Sequence, residues 1–365
     1  MNALCLYAGP KALAHIQSHG LRAQDVGVIS GAAGGPKGLM LGPLDRYVFG
    51  EWLTQSHQTV DLVAASIGAW RFASACLNQP VQALQAFEHA YIHQHFEPEP
   101  GRKRPSAQSV TSAFAKGLRD FYGGRENEVL THPRLRLHVL TSRGLHVLRR
   151  ELPVLTPLGY AGAFLSNAMH RPWLGAWLER VVFSSQRPCA SKGLPDLPFD
   201  PNDFRTRHVA LDANNFYAAI QGSCAIPFVL QAVHDIAGAP PGAHWDGGIT
   251  DYHLHLNYRP RAESPIVLYP HFQKALVPGW LDKSLKWRHS STPFLDHVLV
   301  LAPNPQWVRT LPNGKLPDRT DFIRYGLNLD ARVAAWNTAT SAAQQLADEF
   351  AQWLHKPDLT RIQTL

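Results

Sequence analysis

Charge is scarce in this chain. Asp, Glu, Lys and Arg make up 17% of its 365 residues, against roughly 25% in an average soluble protein. Cysteine is scarcer still. Cys5, Cys76, Cys189 and Cys224 are scattered and form no CxxC pair. This excludes a disulfide framework and predicts reduced thiols in a cytoplasmic protein. No stretch approaches 18 consecutive apolar residues, so no transmembrane helix is expected. The N-terminus has no basic start ahead of a long apolar core, so no secretory leader is expected. Zinc spacing, a basic zipper and an aromatic-rich RNA-binding strand are all missing, which removes nucleic acid as a partner. The one dense basic run, GRKRP at 101–105, sits among prolines and reads as solvated loop.

What is present is apolar and weakly basic. The hydrophobic fraction is 45%, with ten Trp and sixteen Phe, enough for a sizeable core and incompatible with global disorder. The net charge is +7 with nineteen histidines counted as neutral. With nucleic acid set aside, such a balance favours anionic lipid.

The first third alternates strands and helices. Residues 26–30 (VGVIS) form an apolar strand running into a glycine-rich turn, and Pro36 opens a helix through Leu39, Leu44, Val48 and Trp52. Residues 60–65 (VDLVAA) form a second strand, followed by helices at 67–77 and 81–95. Two strand–turn–helix units in succession predict a parallel sheet with helices on both faces. Further strands are expected at 134–141, 209–212, 266–269 and 298–301. A helical insertion is expected over about 144–200, with helices near 159–170 and 172–180. One C-terminal helix is expected over about 330–354, covering a face of the sheet. A single α/β domain over 1–365 accommodates all of this.

Three constellations carry chemistry. GAAGGPKG at 31–38 follows a strand and opens a helix, so consecutive N–H groups can point into one concavity. That suits an oxyanion or a phosphate, and equally a tight turn that simply needs glycine. It is neither a Walker loop nor GxGxxG. Ala64-Ala65-Ser66-Ile67-Gly68 lies between an apolar strand and an apolar helix, the context of a nucleophile elbow. A buried structural serine is the alternative. Asp246-Gly247-Gly248 keeps a carboxylate on a turn, or is only a turn.

The order of these pieces resembles the patatin-like phospholipases. The glycine loop with its basic residue (Gly34, Gly35, Lys37) comes first, and the elbow (Ser66, Gly68) follows some tens of residues later. A Ser-x-Ala-x-Pro block at 223–227 is next, then Asp246-Gly247-Gly248. The resemblance covers about 25–78 and 205–258. It implies a three-layer α/β fold with a mainly parallel central sheet. It also implies a Ser66–Asp246 dyad, an oxyanion hole from the N–H groups of Gly34 and Gly35, a lipid or acyl-ester substrate, and no metal or cofactor. Lys37 would brace the loop. Two other readings stay open: a phosphate or nucleotide site in the 31–38 loop, and a Ser-His-Asp esterase drawing on His253, His255, His271 or His289.

Two stretches suit a lipid surface or an acyl channel. Residues 271–289 hold Lys274, Lys283, Lys286 and Arg288 against one acid, Asp282, interleaved with Trp280 and Trp287. Residues 172–183 place Trp173, Leu174, Trp177, Leu178 and Val181 at helical spacing. Peripheral contact with an anionic membrane through either is expected, and so is the plain alternative of packing on the core.

Overall fold

The apolar runs become strands of one sheet. The computed structural model describes residues 1–102, 105–186 and 194–365. Lys103 and Arg104 of the basic run, and Cys189, lie outside the described residues. The strands are β1 (Leu4–Ala8), β2 (Val26–Gly31), β3 (Val60–Ala65), β4 (Leu135–Gly144), β5 (Leu178–Ser184), β6 (Thr206–Ala210), β7 (Val233–His234), β8 (Ala243–Asp246), β9 (Ile266–Pro270), β10 (Val298–Pro303) and β11 (Ile362–Thr364). Their order is β11-β1-β10-β9-β2-β3-β4-β5-β6, with β8 on β4 and β7 on β8. From β10 through β9, β2 and β3 to β4 every pair is parallel. The antiparallel pairs are β1–β10, β4–β5, β4–β8 and β7–β8. Every residue of β2, β3, β9 and β10 is buried. That is why these strands read as near-continuous Val, Ile, Leu and Ala runs with no polar alternation.

Helices flank the sheet: α1 (Pro10–His19), α2 (Gly42–Gly50), α3 (Ile67–Ala75), α4 (Pro80–Ile92), α5 (Ala107–Tyr122), α6 (Glu126–Leu130), α7 (Leu155–Met169), α8 (Phe216–Ser223), α9 (Pro305–Val308), α10 (Thr320–Tyr325), α11 (Leu329–Ala342) and α12 (Gln344–His355). All nine residues of α3 are buried. The Arg71 guanidinium on α3 forks onto Asp45 of α2, with both hydrogen bonds at 2.7 Å. Removing either partner would strand a buried charge, at a cost of about 3–5 kcal/mol, so the pair fixes α3 against α2. The strand neighbours diverge at β2, with β3 on one side and β9 on the other. In open α/β sheets, ligands bind outside the carboxyl ends of strands at such a point.

The structure departs from the sequence reading in three elements. The helix expected from Pro36 to Trp52 is broken: Gly35–Leu41 is a 3-10 turn, α2 follows, and Trp52 begins a separate turn. Glycine and proline at 35, 36, 38, 42 and 43 supply too little helix propensity for one continuous element. Residues 172–180 do not form a helix. A 3-10 turn at Arg171–Ala176 leads into β5, all of it buried and antiparallel to β4. The β-branched pair Val181–Val182 favours the strand, so residues 144–200 contribute a strand to the sheet as well as α7. The expected C-terminal helix is two helices, α11 and α12, meeting at Ala343.

Candidate active site

β3 ends at Ala65 and α3 begins at Ile67, which leaves one residue for the turn. Ser66 takes φ +56° and ψ −130°. A residue with a Cβ in such a region costs about 1–3 kcal/mol and persists only where its surroundings impose it. They do so here. The Ser66 N–H donates to Ser223 Oγ at 2.9 Å, and the Ser223 hydroxyl donates to the Leu140 carbonyl at 2.6 Å. The elbow is also pressed against β2: Gly31 pairs with Ala64, and a Cβ at Gly68 would overlap the Gly31 carbonyl. The strain has a measurable consequence. Ser66→Gly and Ser66→Ala both lose the hydroxyl, but only glycine relaxes the backbone. Ser66→Gly should therefore be the more stable of the two by about 1 kcal/mol in urea unfolding. Equal stabilities would contradict the strain.

β4 brings the second residue in. One edge of β4 carries β3 as far as Leu140, which pairs with Ala65; the next residue, Thr141, pairs with Asp246 of β8. Two residues 180 positions apart thus meet, and the Ser66 hydroxyl donates to Asp246 Oδ2 at 2.7 Å. Asp246 Oδ1 accepts the Gly248 N–H at 2.8 Å. The Asp246 backbone is held by Ala225 O and Ser142 Oγ. Burial raises the Asp246 carboxyl pKa; the Ser66 hydrogen bond, the Arg319 charge and the Gly248 N–H pull the other way. Both following glycines are required by close approaches. A Cβ at Gly247 would overlap the Leu140 carbonyl, and one at Gly248 would lie 2.6 Å from the Ala33 methyl.

The glycine loop lies at the carboxyl end of β2, beside the elbow. Its anchor is the Ala33 N–H, which donates to the Tyr252 carbonyl at 3.0 Å. Gly34 caps the 3-10 turn and Gly35 begins it with φ +56°. First-turn N–H groups have no intrahelical acceptor. Among the described residues those of Gly34 and Gly35 find none elsewhere in the chain. Phe272 closes on Gly34 so tightly that a Cβ there would sit 2.5 Å from the ring. Lys37 Nζ lies 5.2 Å from the same ring, and burial lowers its pKa. Lys37 thus stands over the ring that closes on Gly34.

Ser66 and Gly35 open onto a cavity of about 650 Å³ walled by Trp70, Val110, Phe114 and Ile226, within the usual range for small-molecule sites. Phe228, Val229, Ile323 and Leu327 also line it and are exposed, so they form its rim. Two cations stand beside the site. Arg319 lines the cavity, with its Nε 3.3 Å from where a Gly35 Cβ would be. Lys283 Nζ lies 4.1 Å over the Tyr252 ring. Its pKa is lowered to about 8, first by burial and then by Arg319 and Lys37. Sequence reasoning missed Arg319 and the bridging role of Ser223. Neither carries a local signal, because each acts only through residues far away in the chain.

The other candidates fall elsewhere. His253 and His271 stack with Tyr252 and Phe272 behind the loop. His255 bonds Thr292, and His289 bonds the Asp282 carbonyl. None of the four touches Ser66 or Asp246. A Ser-His-Asp chain does exist: His138 Nδ1 lies 2.7 Å from Ser184 Oγ and Nε2 lies 3.2 Å from Asp61 Oδ1. Ser184 and His138 are wholly inaccessible, and Asp61 is also held by Arg261 at 3.0 Å, so this chain braces β3, β4 and β5. Trp177 donates to Ser166 at 2.9 Å against Gly162, and Trp280 packs on a buried cluster that includes Leu148, Leu174 and Trp245. Trp173, Trp287 and Lys286 are exposed. No family model matches the chain, and no curated protein matches it.

Proposed function

We propose that this chain is a serine acyl-ester hydrolase of the patatin-like phospholipase type, working with a Ser66–Asp246 dyad and without a histidine. The observation that carries the reading is the 2.7 Å hydrogen bond from a strained elbow serine to a buried aspartate, at the wall of an apolar cavity. As Ser66 Oγ attacks the ester carbonyl, its proton passes to Asp246 Oδ2. Burial makes that carboxylate a stronger base than an exposed one. The Gly34 and Gly35 N–H groups receive the oxyanion. On collapse, the leaving alkoxide takes the proton from Asp246. A water then gives a proton to Asp246 as it attacks the acyl carbonyl; on collapse the bond to Ser66 Oγ breaks, Oγ takes the proton back from Asp246, and the carboxylic acid leaves. The acyl chain occupies the cavity. The three-layer fold and a cytoplasmic site of action, with visits to lipid surfaces, belong to the same reading. Among the described residues no helix is long and apolar enough to cross a membrane.

The pH profile tests it. Asp246 must be ionised to accept the proton, so kcat/KM should fall as pH falls through its pKa. That pKa should lie above the 3.9 or so of an exposed aspartate. Lys283 is charged below about pH 8. The KM for an anionic ester should therefore rise above that pH, while the KM for a neutral ester stays flat. In Lys283→Met the alkaline change should disappear. An acid limb at or below the ordinary carboxylate value would contradict the buried base.

A further inference from the structure

The helix α7 breaks the usual rule for surface helices. Its inner face is Thr156, Gly159, Tyr160, Ala163 and Asn167, all buried. Its outer face should be polar, yet it consists of Leu155, Leu158, Ala161, Leu165 and Met169. Leu158 and Leu165 are each 61% exposed and Met169 is 69% exposed. Residues 152–169 contain no Asp, Glu, Lys or Arg. Val154 and Trp173 extend the bare surface at either end.

The mouth of the cavity adjoins α7 on its inner side. Tyr160 of α7 packs edge-on against Phe228, with centroids 5.9 Å apart. Phe228 and Val229 are both exposed and both line the Ser66 cavity. Phe228 is held at φ +67°, an unfavourable conformation for a bulky residue.

The border is cationic. Arg149 and Arg150 precede the helix, exposed and without an ion-pair partner among the described residues. Lys286 is exposed near its other end, where Arg288 donates to the Ala168 carbonyl at 3.2 Å. Asp282 is buried and shared by Asn167, Arg171 and Arg288. It is neutralised by two ion pairs, whereas Glu151 has, among the described residues, only the neutral Ala232 N–H on its carboxylate.

We infer that α7, with Phe228 and Val229, is the face by which this protein lies on an anionic lipid bilayer. An exposed apolar face bordered by unpaired Arg and Lys suits an anionic interface, because apolar burial and attraction to the headgroups act together there. Fifteen residues span about 22 Å, too short to cross a hydrocarbon core. Phe228, which packs on Tyr160 of α7, places that part of the Ser66 cavity rim beside the docking helix. The inference rests on the hydrolase reading for its purpose, and its test separates the two.

Vesicle co-sedimentation with the Ser66→Ala protein measures docking without lipid consumption. Vesicles of mixed phosphatidylglycerol and phosphatidylcholine should bind it, and pure phosphatidylcholine should bind it more weakly. Added salt should reduce the binding. Leu158→Asp/Leu165→Asp should reduce partitioning by about tenfold or more, as should Arg149→Glu/Arg150→Glu. In the parent background both pairs should hydrolyse a soluble p-nitrophenyl ester normally, which also reports that they fold. Should the aspartate pair misfold, Leu158→Ser/Leu165→Ser carries the same expectation. Unchanged vesicle binding in these pairs overturns the inference. So does a concentration-dependent dimer that the Leu158/Leu165 pairs abolish, because the face would then belong to a second copy. Vesicle binding without ester hydrolysis in the parent would instead refute the hydrolase reading alone.

Discussion

Replacing Ser66 by alanine should remove ester hydrolysis by about 10³-fold or more, because among the described residues Ser66 is the only hydroxyl that donates to the Asp246 carboxylate. Asp246→Asn is the sharper variant. The carboxamide keeps the shape and can still accept the Gly248 N–H, so the turn at 246–248 has every reason to persist. It cannot accept the serine proton. Loss of a general base typically costs about 10²–10⁴-fold, and that loss should fall on kcat. Burial already raises the Asp246 carboxyl pKa, so the ionised form strains the fold. A pKa raised in the folded state means this group stabilises least once pH has risen through that pKa. Asp246→Asn should therefore melt no lower than the parent at pH 8. Substantial turnover in either variant, with the fold intact, would remove the dyad from the mechanism.

The proposed oxyanion loop gives the second large effect. Gly35 has φ +56°, and a Cβ there would press only on the flexible Arg319 side chain, at 3.3 Å, with the Tyr91 hydroxyl at an ordinary contact distance of 3.8 Å. Gly35→Ala is thus tolerated sterically while its backbone is pushed away from the left-handed region, which re-aims the N–H. Losing one such donor costs about 10²–10³ in kcat. The contact strengthens only in the transition state, so KM should change little. Steady-state kinetics on a soluble ester, with circular dichroism as a fold control, reads this directly. A change confined to KM would show that the loop binds ground-state substrate and stabilises no oxyanion.

The site was more legible in the sequence than its surroundings, for a steric reason. Gly68 and Gly247 are fixed by carbonyl oxygens that leave no room for a Cβ, so the turns that bring Ser66 and Asp246 together show as short local words. The central parallel strands were legible because full burial makes them apolar throughout. β1 and β11 were not: they are short, and their pairing with β10 and with each other joins opposite ends of the chain. β5 was misread because Trp173, Leu174, Trp177 and Val181 happen to match helical spacing, although the side chains serve a turn and then a strand. The candidate lipid stretches rest on Trp beside Lys at 271–289 and on helical spacing at 172–183. Of their tryptophans Trp177 and Trp280 are half-buried and Trp173 and Trp287 are exposed, while α7 carries neither signal because its apolar outer face looks in sequence like one more buried helix.

The most direct test of the account is labelling with a fluorophosphonate, followed by intact mass and peptide mapping. A serine activated by Asp246 should take one phosphonyl group per chain, on the peptide carrying Ser66. Asp246→Asn should slow the labelling by about the factor it costs in turnover, and Ser66→Ala should abolish it. A parent protein that stays unlabelled, or an adduct on any serine other than Ser66, would contradict the account.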